Sequence, residues 1–500
     1  MREKNIIKNF ITEVVPQFMI AIIGLFKSQA LLECLGEQTS GLFQIFGQIM
    51  AYLSLLEGGM GVAAIYRLYK PLIEKDYELL GKLKRGIGVI FRRLAIIIFF
   101  LGIALSFVIP FLIKDNQFST SYIQFNFMLY LIGELVLYFT VFERNLFTAD
   151  EKGYKVNILM NSSIILKGIF EIIILKLGGN LTQILLMFIV INFILNVALI
   201  YLTRKNYSMI IPKTEGDYSV LKDVKNLFVH KISNLITNNI DVLILSKVMG
   251  LTYVVIYTTY NMIITNVNSF ITKFYTSTIG SVGKIIVEKK EESNNIFKEF
   301  NAMMFFVATV IGIPMFFAMD YFINIWYKGQ IHTNIMISIL FTAQFLLYCV
   351  RIPMLTFSEA AGLFKETRIC PILGAIINLV LSLILVQTMQ IEGVLIATVI
   401  SLILAEYLIR PVIIYKKIFG KGVKEYYFTT LKFIIPMVFL FIITAKLTLT
   451  WNISSILDLF IATFIIGCIN LILTFIYYYI TKELVFLKRL KRIKRREQGV

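Results

Sequence analysis

Histidine is almost absent from this chain. The two copies, His230 and His332, lie about a hundred residues apart, which excludes a histidine-built metal site. Cysteine is nearly as scarce. Cys34, Cys349, Cys370 and Cys468 are scattered without any C-x-x-C spacing, so zinc and redox motifs are excluded and the four read as small apolar packing residues. Charged residues make up 16% of the chain, against about 25% in soluble domains, and a soluble globular enzyme is excluded with them. In their place stand hydrophobic residues at 58% of 500 positions, arranged in long Ile/Leu/Phe runs, and a mean hydropathy of +0.78. A membrane-crossing helix uses about 20 apolar residues, which leaves room for roughly a dozen crossings or slightly more. Runs of this length with nine prolines fit helices rather than the short alternating strands of a barrel. The composition describes an all-α polytopic membrane protein.

The apolar runs and their breakers place fourteen spans near 10–33, 40–66, 94–113, 122–142, 157–177, 183–203, 224–248, 252–273, 300–326, 333–355, 369–388, 392–415, 431–449 and 453–480. The first run contains Lys27 and lacks a small-x-small cleavage site, so it reads as a retained span rather than a signal peptide. Forty-one of the 49 Lys and Arg fall on the side that holds both ends of the chain. Five fall on the other side (Lys114, Lys176, Lys247, Lys328 and Lys446), and Lys27, Lys167 and Lys231 lie within spans. This is a strong positive-inside signal that makes both termini cytoplasmic. It also absorbs the net charge of +18, including the basic tail at 488–496. That tail directly follows a span, so topology and contact with anionic lipid headgroups explain it without a nucleic-acid partner.

The chain repeats itself weakly at an offset of 214 residues. Gly36 falls on Gly250, Lys70 on Lys284, Lys114 on Lys328 and Gly179 on Gly393. Six spans separate the copies, so the repeats are parallel, related by an axis along the membrane normal. Two six-helix lobes follow, 1–205 and 206–420, with two extra spans and the basic tail in 421–500. Such an arrangement suits alternating access around a central cavity.

The motif Leu55-Leu56-Glu57-Gly58-Gly59-Met60-Gly61-Val62-Ala63-Ala64-Ile65-Tyr66-Arg67 resembles the span-two signature of bacterial polysaccharide-unit flippases. These are the O-antigen and capsule flippases of the multidrug/oligosaccharidyl-lipid/polysaccharide exporter superfamily. Asn239-Ile240-Asp241-Val242-Leu243-Ile244-Leu245-Ser246 and Val255-Ile256-Tyr257-Thr258-Thr259-Tyr260-Asn261 are similar to their span-seven and span-eight region. Ala361 to Arg368, Ile376-Ile377-Asn378-Leu379 and Glu392-Gly393-Val394 are similar to their stretch around spans eleven and twelve. The resemblance covers roughly residues 10–425 and rests on the order and spacing of loose patterns. It implies a MATE-like fold in the bacterial cytoplasmic membrane. It also implies movement of undecaprenyl-pyrophosphate-linked oligosaccharide from the inner to the outer leaflet, with H+ or Na+ coupling, no resident cofactor, and polymerase and glycosyltransferase partners.

Ionisable groups inside spans are costly and mark functional hypotheses. Lys27, Lys167 and Lys231 are candidates for a cationic cavity that holds the substrate pyrophosphate. Against this, Lys167 has Glu171 four residues on as a local mate, and Lys231 lies near enough to the cytoplasmic end of its span to snorkel. The 214-residue register places Lys27 on Asp241 and Glu33 on Lys247. Parallel repeats put equivalent positions at similar depth, so a central Lys27–Asp241 pair and an outward Glu33–Lys247 gate are expected, with at most one facing the axis in a given state. Asp241 bonding Asn238 or its own neighbours is the bland alternative. Glu57 and Glu134, also within spans, are candidates to carry a coupling proton, as is Asp320. Glu406 and Arg410, four apart, should satisfy each other. Gly58, Gly59 and Gly61 serve either a hinge or close helix packing.

No nucleophile motif, metal cluster or phosphate-binding glycine loop is present, and every external loop is short, which disfavours a membrane polymerase or ligase. No catalytic residue is assigned. Lipid II flippases and cation-coupled drug antiporters of the same superfamily remain the alternatives. Fourteen spans fit the former, and a cationic core argues against cationic drugs.

Overall fold

The computed structural model describes residues 2–114, 117–211, 215–219, 240–288 and 290–484, and the described residues are helical with no strand. The chain divides by its contacts into two compact units, Met1–Val255 and Ile256–Val500. Among the described residues, ten helical stretches are long and apolar enough to cross a membrane, five in each unit. Two of them, Ile11–Glu57 with 47 residues and Phe364–Phe419 with 56, have the length of two crossings. Each is broken where such a pair would turn: at Gly36 (φ 76°, ψ 175°) and at Gln390 (φ 53°, ψ −131°). The helix Leu251–Glu288, rich in Thr, Asn and Tyr, is not among the ten. The ten stretches therefore do not by themselves amount to the fourteen spans that the apolar runs imply.

The first unit contains α1 (Arg2–Leu53), α2 (Met60–Glu74), α3 (Tyr77–Val108), α4 (Thr120–Leu135), α5 (Val141–Ala149), α6 (Gly153–Lys176) and α7 (Leu181–Asn206). Helix starts carry polar caps that satisfy otherwise orphaned amides. Asp76 accepts from Leu79 N, Ser119 from Tyr122 N, and Asn180 forms a reciprocal capping box with Gln183. Helices α1 and α6 lie against each other along much of their length. A Cβ on Gly168 would meet Ile23 Cγ2 at 2.4 Å, so glycine is what lets them approach so closely. Residues 240–248 are helical and dock on the end of the α3 region: Ser246 Oγ donates to Leu112 O at 2.9 Å and Lys114 N to Ser246 O at 3.0 Å. By contacts, then, this segment belongs with the first unit, whereas the repeat register begins a second lobe at 206. The register compares sequence positions, and contacts follow packing, so the two boundaries answer different questions. Gly36 and Gly250, matched by the register, do share a backbone feature: both have positive φ, 76° and 99°.

The second unit is organised around the helix Lys290–Trp326. The two C-terminal helices, Lys424–Thr450 and Ile456–Ile480, pack against it. Asn470 Nδ2 donates to Thr309 O at 2.8 Å, Tyr478 OH to Ala302 O at 3.0 Å, and Phe317 joins Leu459, Ala462 and Ile466 in a common core. Residues 421–484 are thus an integral layer of this unit. A short α-helical segment, Arg410–Ile414, is flanked on both sides by π-helical turns, Ile403–Tyr407 and Tyr415–Phe419. Such turns are rare and mark positions where a side chain's placement overrides regular winding.

Candidate functional site

Four ionisable side chains from three helices of the first unit form one cluster. Lys27 comes from α1, Glu134 from α4, and Lys167 and Glu171 from successive turns of α6. Lys27 Nζ lies 3.1 Å from Glu171 Oε2. The glutamate side chain is fully buried and the lysine's is 30% exposed, so the ammonium is the accessible half of the pair. The Glu171 oxygens receive no further hydrogen bond among the described residues. Lys167 interacts electrostatically with Glu134 and with Lys27. Aromatic rings wall the group. Lys27 Nζ sits 5.3 Å from the Phe43 centroid and 5.8 Å from that of Phe188, and Lys167 Nζ is 5.6 Å from the same Phe188 ring. The half-buried Tyr130 packs on Phe43 and Phe46 and is close enough to Glu134 and Glu171 to feel both charges.

This geometry revises the sequence pairing in two places. Lys27 has Glu171 as its partner where the repeat register suggested Asp241, and Glu171 serves Lys27 rather than Lys167, its neighbour four residues back. The physical reason is azimuth. The register fixes depth along the membrane normal but not which way a side chain points, and α6 is packed along α1. Lys231 lies outside the described residues. Asp241 is buried and interacts electrostatically with the Tyr52 hydroxyl. Lys247 Nζ donates to Phe111 O at 2.5 Å, and Glu33 Oε1 accepts from Gln29 Nε2 at 3.2 Å. One partner of Lys247 therefore comes from the α3 end, and one partner of Glu33 from α1 itself.

Glu57 closes a short 3-10 turn, Ser54–Glu57, and Gly58 and Gly59 follow with φ of 55° and 86°. The Gly-Gly pair is required for this backbone, which breaks the helix between α1 and α2. Glu57 interacts electrostatically with Arg144 and Tyr138. Arg144 Nη2 also donates to Leu137 O at 2.8 Å. Nearby, Lys84 faces the buried Glu143 at 3.9 Å. In the sequence Arg144 and Lys84 read only as loop cations, and no local spacing ties Arg144 to Glu57 or Lys84 to Glu143.

In the second unit, Glu406 and Arg410 form the pair that their spacing predicts, with Nε to Oε2 at 2.5 Å and Nη2 to Oε1 at 2.9 Å. Arg410 Nη1 adds a bond to Ser358 Oγ at 3.3 Å. Asp320 Oδ1 accepts from Tyr260 OH at 2.5 Å and from Ser338 Oγ at 2.7 Å. Glu406 and Arg410 are buried and Asp320 is half-buried, and both groups are locally satisfied.

No family model matches the chain, and no curated protein matches it by sequence. Solved structures do. The lipid II flippase MurJ, in an inward closed conformation, superposes with a TM-score of 0.65 over 93% of this chain and 98% of its own at 15% identity. An inward-facing multidrug resistance MATE family transporter of the MOP superfamily gives 0.64 over 80% and 96% at 14% identity. An outward-facing multidrug resistance MATE family transporter of the same superfamily gives 0.58 over 82% and 94% at 15% identity. At such identities the likeness is one of fold, and this chain is an all-helical, multi-pass membrane protein with the fold that MurJ and the MATE transporters share.

Proposed function

We propose that this protein is a flippase that carries undecaprenyl-pyrophosphate-linked oligosaccharide units across the bacterial cytoplasmic membrane by alternating access, for capsule or O-antigen synthesis. Fourteen spans, cytoplasmic termini, and polymerase and glycosyltransferase partners belong to the same proposal. The fold supports a transporter, and the observation that carries the choice of substrate class is the Lys27–Glu171 pair. A pyrophosphate offers more negative charge and more acceptor oxygens than one carboxylate, and charge-assisted bonds to phosphate are strong. The accessible Lys27 would transfer from Glu171 to the phosphate. Glu171, left buried and unpaired, would then take up a proton, because an isolated carboxylate in an apolar site neutralises rather than stay charged. Phosphate binding and proton uptake are thereby linked in one exchange, and release of substrate in the other leaflet restores the pair. Lys167 and Lys231 would add to the positive field, and Glu134, Glu57, Asp241, Glu33 and Lys247 are the gating and coupling candidates.

The test is leaflet-specific accessibility of a fluorescent undecaprenyl-pyrophosphate oligosaccharide in proteoliposomes. The wild type should flip it, and Lys27→Ala should lose about tenfold or more of the rate, the size of one charge-assisted contact. Flipping of lipid II alone would shift the substrate within the same class. Export of a soluble cationic dye with no lipid flipping would overturn the proposal in favour of a drug antiporter.

A further inference from the structure

A feature of the first unit that the ionic cluster does not use is an apolar groove of roughly 380 Å³ between α3 and the α4 region. Its walls include Ile96 and Phe100 on one side and Leu135 and Phe139 on the other, and Arg92 lies at one end. Ile96, Phe100 and Phe139 are 57%, 64% and 61% exposed, which in a membrane-crossing unit means exposed to lipid. Arg92 is itself exposed. Its Nε donates to Gly88 O at 3.0 Å, which pins the guanidinium at the mouth of the groove. Two other cations of α3 have acidic partners, Lys82 with Glu78 and Lys84 with Glu143. Arg92 makes no ion pair among the described residues.

The hydrocarbon of a bilayer is as apolar as such a groove, so an acyl chain gains little by entering it. Selection of an occupant must therefore come from the polar end. There a single guanidinium with free Nη donors matches a phosphodiester that bears one negative charge. From the groove and this unpaired arginine together, we propose that the α3–α4 groove is a binding site for an anionic phospholipid of the membrane, with its phosphate on Arg92 and one acyl chain along Ile96, Phe100 and Leu135. The occupied leaflet is the one at the basic end of α3. The proposal does not depend on the flippase reading. The second unit supplies an internal contrast: its own apolar groove, roughly 180 Å³ and lined by Phe433, Pro436, Leu473 and Tyr477 among others, has no charged side chain in its wall. It should not discriminate between headgroups.

The experiment uses the full chain in proteoliposomes that contain either phosphatidylglycerol or phosphatidylcholine with a photoreactive diazirine in the acyl chain. Labelled peptides are then mapped by mass spectrometry. The phosphatidylglycerol probe should label residues 92–100 and 132–139 about fivefold more than the choline probe, the size of one basic residue at a membrane surface. Arg92→Ala, at an exposed position, should reduce that label to the choline level. Ile96→Trp, which fills the groove and leaves Arg92 in place, should lower labelling by both probes. Equal labelling by the two lipids, or a preference that survives Arg92→Ala, would overturn the proposal. Displacement of the label by undecaprenyl pyrophosphate but not by excess unlabelled phosphatidylglycerol would also overturn it, and would make the groove part of the substrate path.

Discussion

The two units place their buried charges in opposite ways. In the second unit, Glu406 and Arg410 sit four residues apart and bind each other in a bidentate contact, so no movement of one helix against another can separate them. In the first unit, Lys27 and Glu171 come from different helices, α1 and α6, and a sliding or tilting of either would part them. The 214-residue register sharpens the contrast. Lys167 and Glu171 correspond to Leu381 and Leu385, and Glu134 to Tyr348, so these three members of the first unit's cluster have no charged counterpart. Conversely, Glu406 and Arg410 correspond to Asn192 and Asn196, which reach across to α4 and the turn after it: Asn192 Nδ2 to Gly133 O at 2.7 Å, Asn196 Nδ2 to Val136 O at 2.6 Å. Positions matched by the 214-residue register thus serve once for a self-contained ion pair and once for neutral bonds between helices. The lesson is that intrahelical pairs suit a fixed brace, and interhelical ones suit a contact that has to open.

The largest expected effect tests the brace. Arg410→Ala would leave Glu406 buried beside an empty site, and loss of one partner of a buried pair costs about 3–5 kcal/mol. A pronounced fall in detergent melting temperature is expected, and the double change Arg410→Met with Glu406→Leu should recover most of it. Transport per folded molecule should be unaltered in that double variant; if it collapsed, the second unit's pair would be more than a brace. The matching cycle in the first unit, Lys27→Met with Glu171→Leu, should also restore melting lost in Lys27→Met alone, yet leave flipping at least about tenfold down. Full transport in that double variant would dissolve the contrast between the units. A smaller effect is expected for Lys167→Gln. Its ammonium rests on Phe188 and near Glu134 without a direct ion pair to Glu171, so a few-fold loss in rate with a modest change in melting is the expectation, read in the same proteoliposome assay.

Much of this architecture is written in single-sequence terms. Long Ile/Leu/Phe runs mark the membrane helices, Gly36 and Gly250, which the apolar runs put at span ends, both have positive φ, and the i,i+4 rule finds Glu406–Arg410. What escapes has a common cause. Glu171 lies far along the chain from Lys27, and no periodicity states which face of α1 meets which face of α6. The 214-residue register aligns positions between units but has no access to neighbours within one, so it offers Asp241 where packing supplies Glu171. The break at Gln390 falls in the gap that the apolar runs leave between 388 and 392, and only its positive φ is silent in the sequence, because glutamine carries none of the turn preference that glycine does. Arg144 is legible as a cation and not as the group beside Glu57, for the same reason of unknown facing.

The finest distinction rests on Asn192. Its side chain is buried, and its Nδ2 makes a single bond to the Gly133 carbonyl of α4. That carbonyl sits in a helix, where backbone amides compete for it, so removal of the asparagine leaves no stranded charge. Polar bonds between membrane helices are worth about 0.6 kcal/mol on average and up to about 1.7. Asn192→Leu should therefore lower stability by about 1 kcal/mol, far less than Arg410→Ala at the register-related helix. Detergent unfolding of the two variants side by side measures this. A loss for Asn192→Leu as large as that for Arg410→Ala would mean that the first unit's neutral contact bears the load that the second unit gives to an ion pair. The assignment of brace and opening contact would then have to be exchanged between the units.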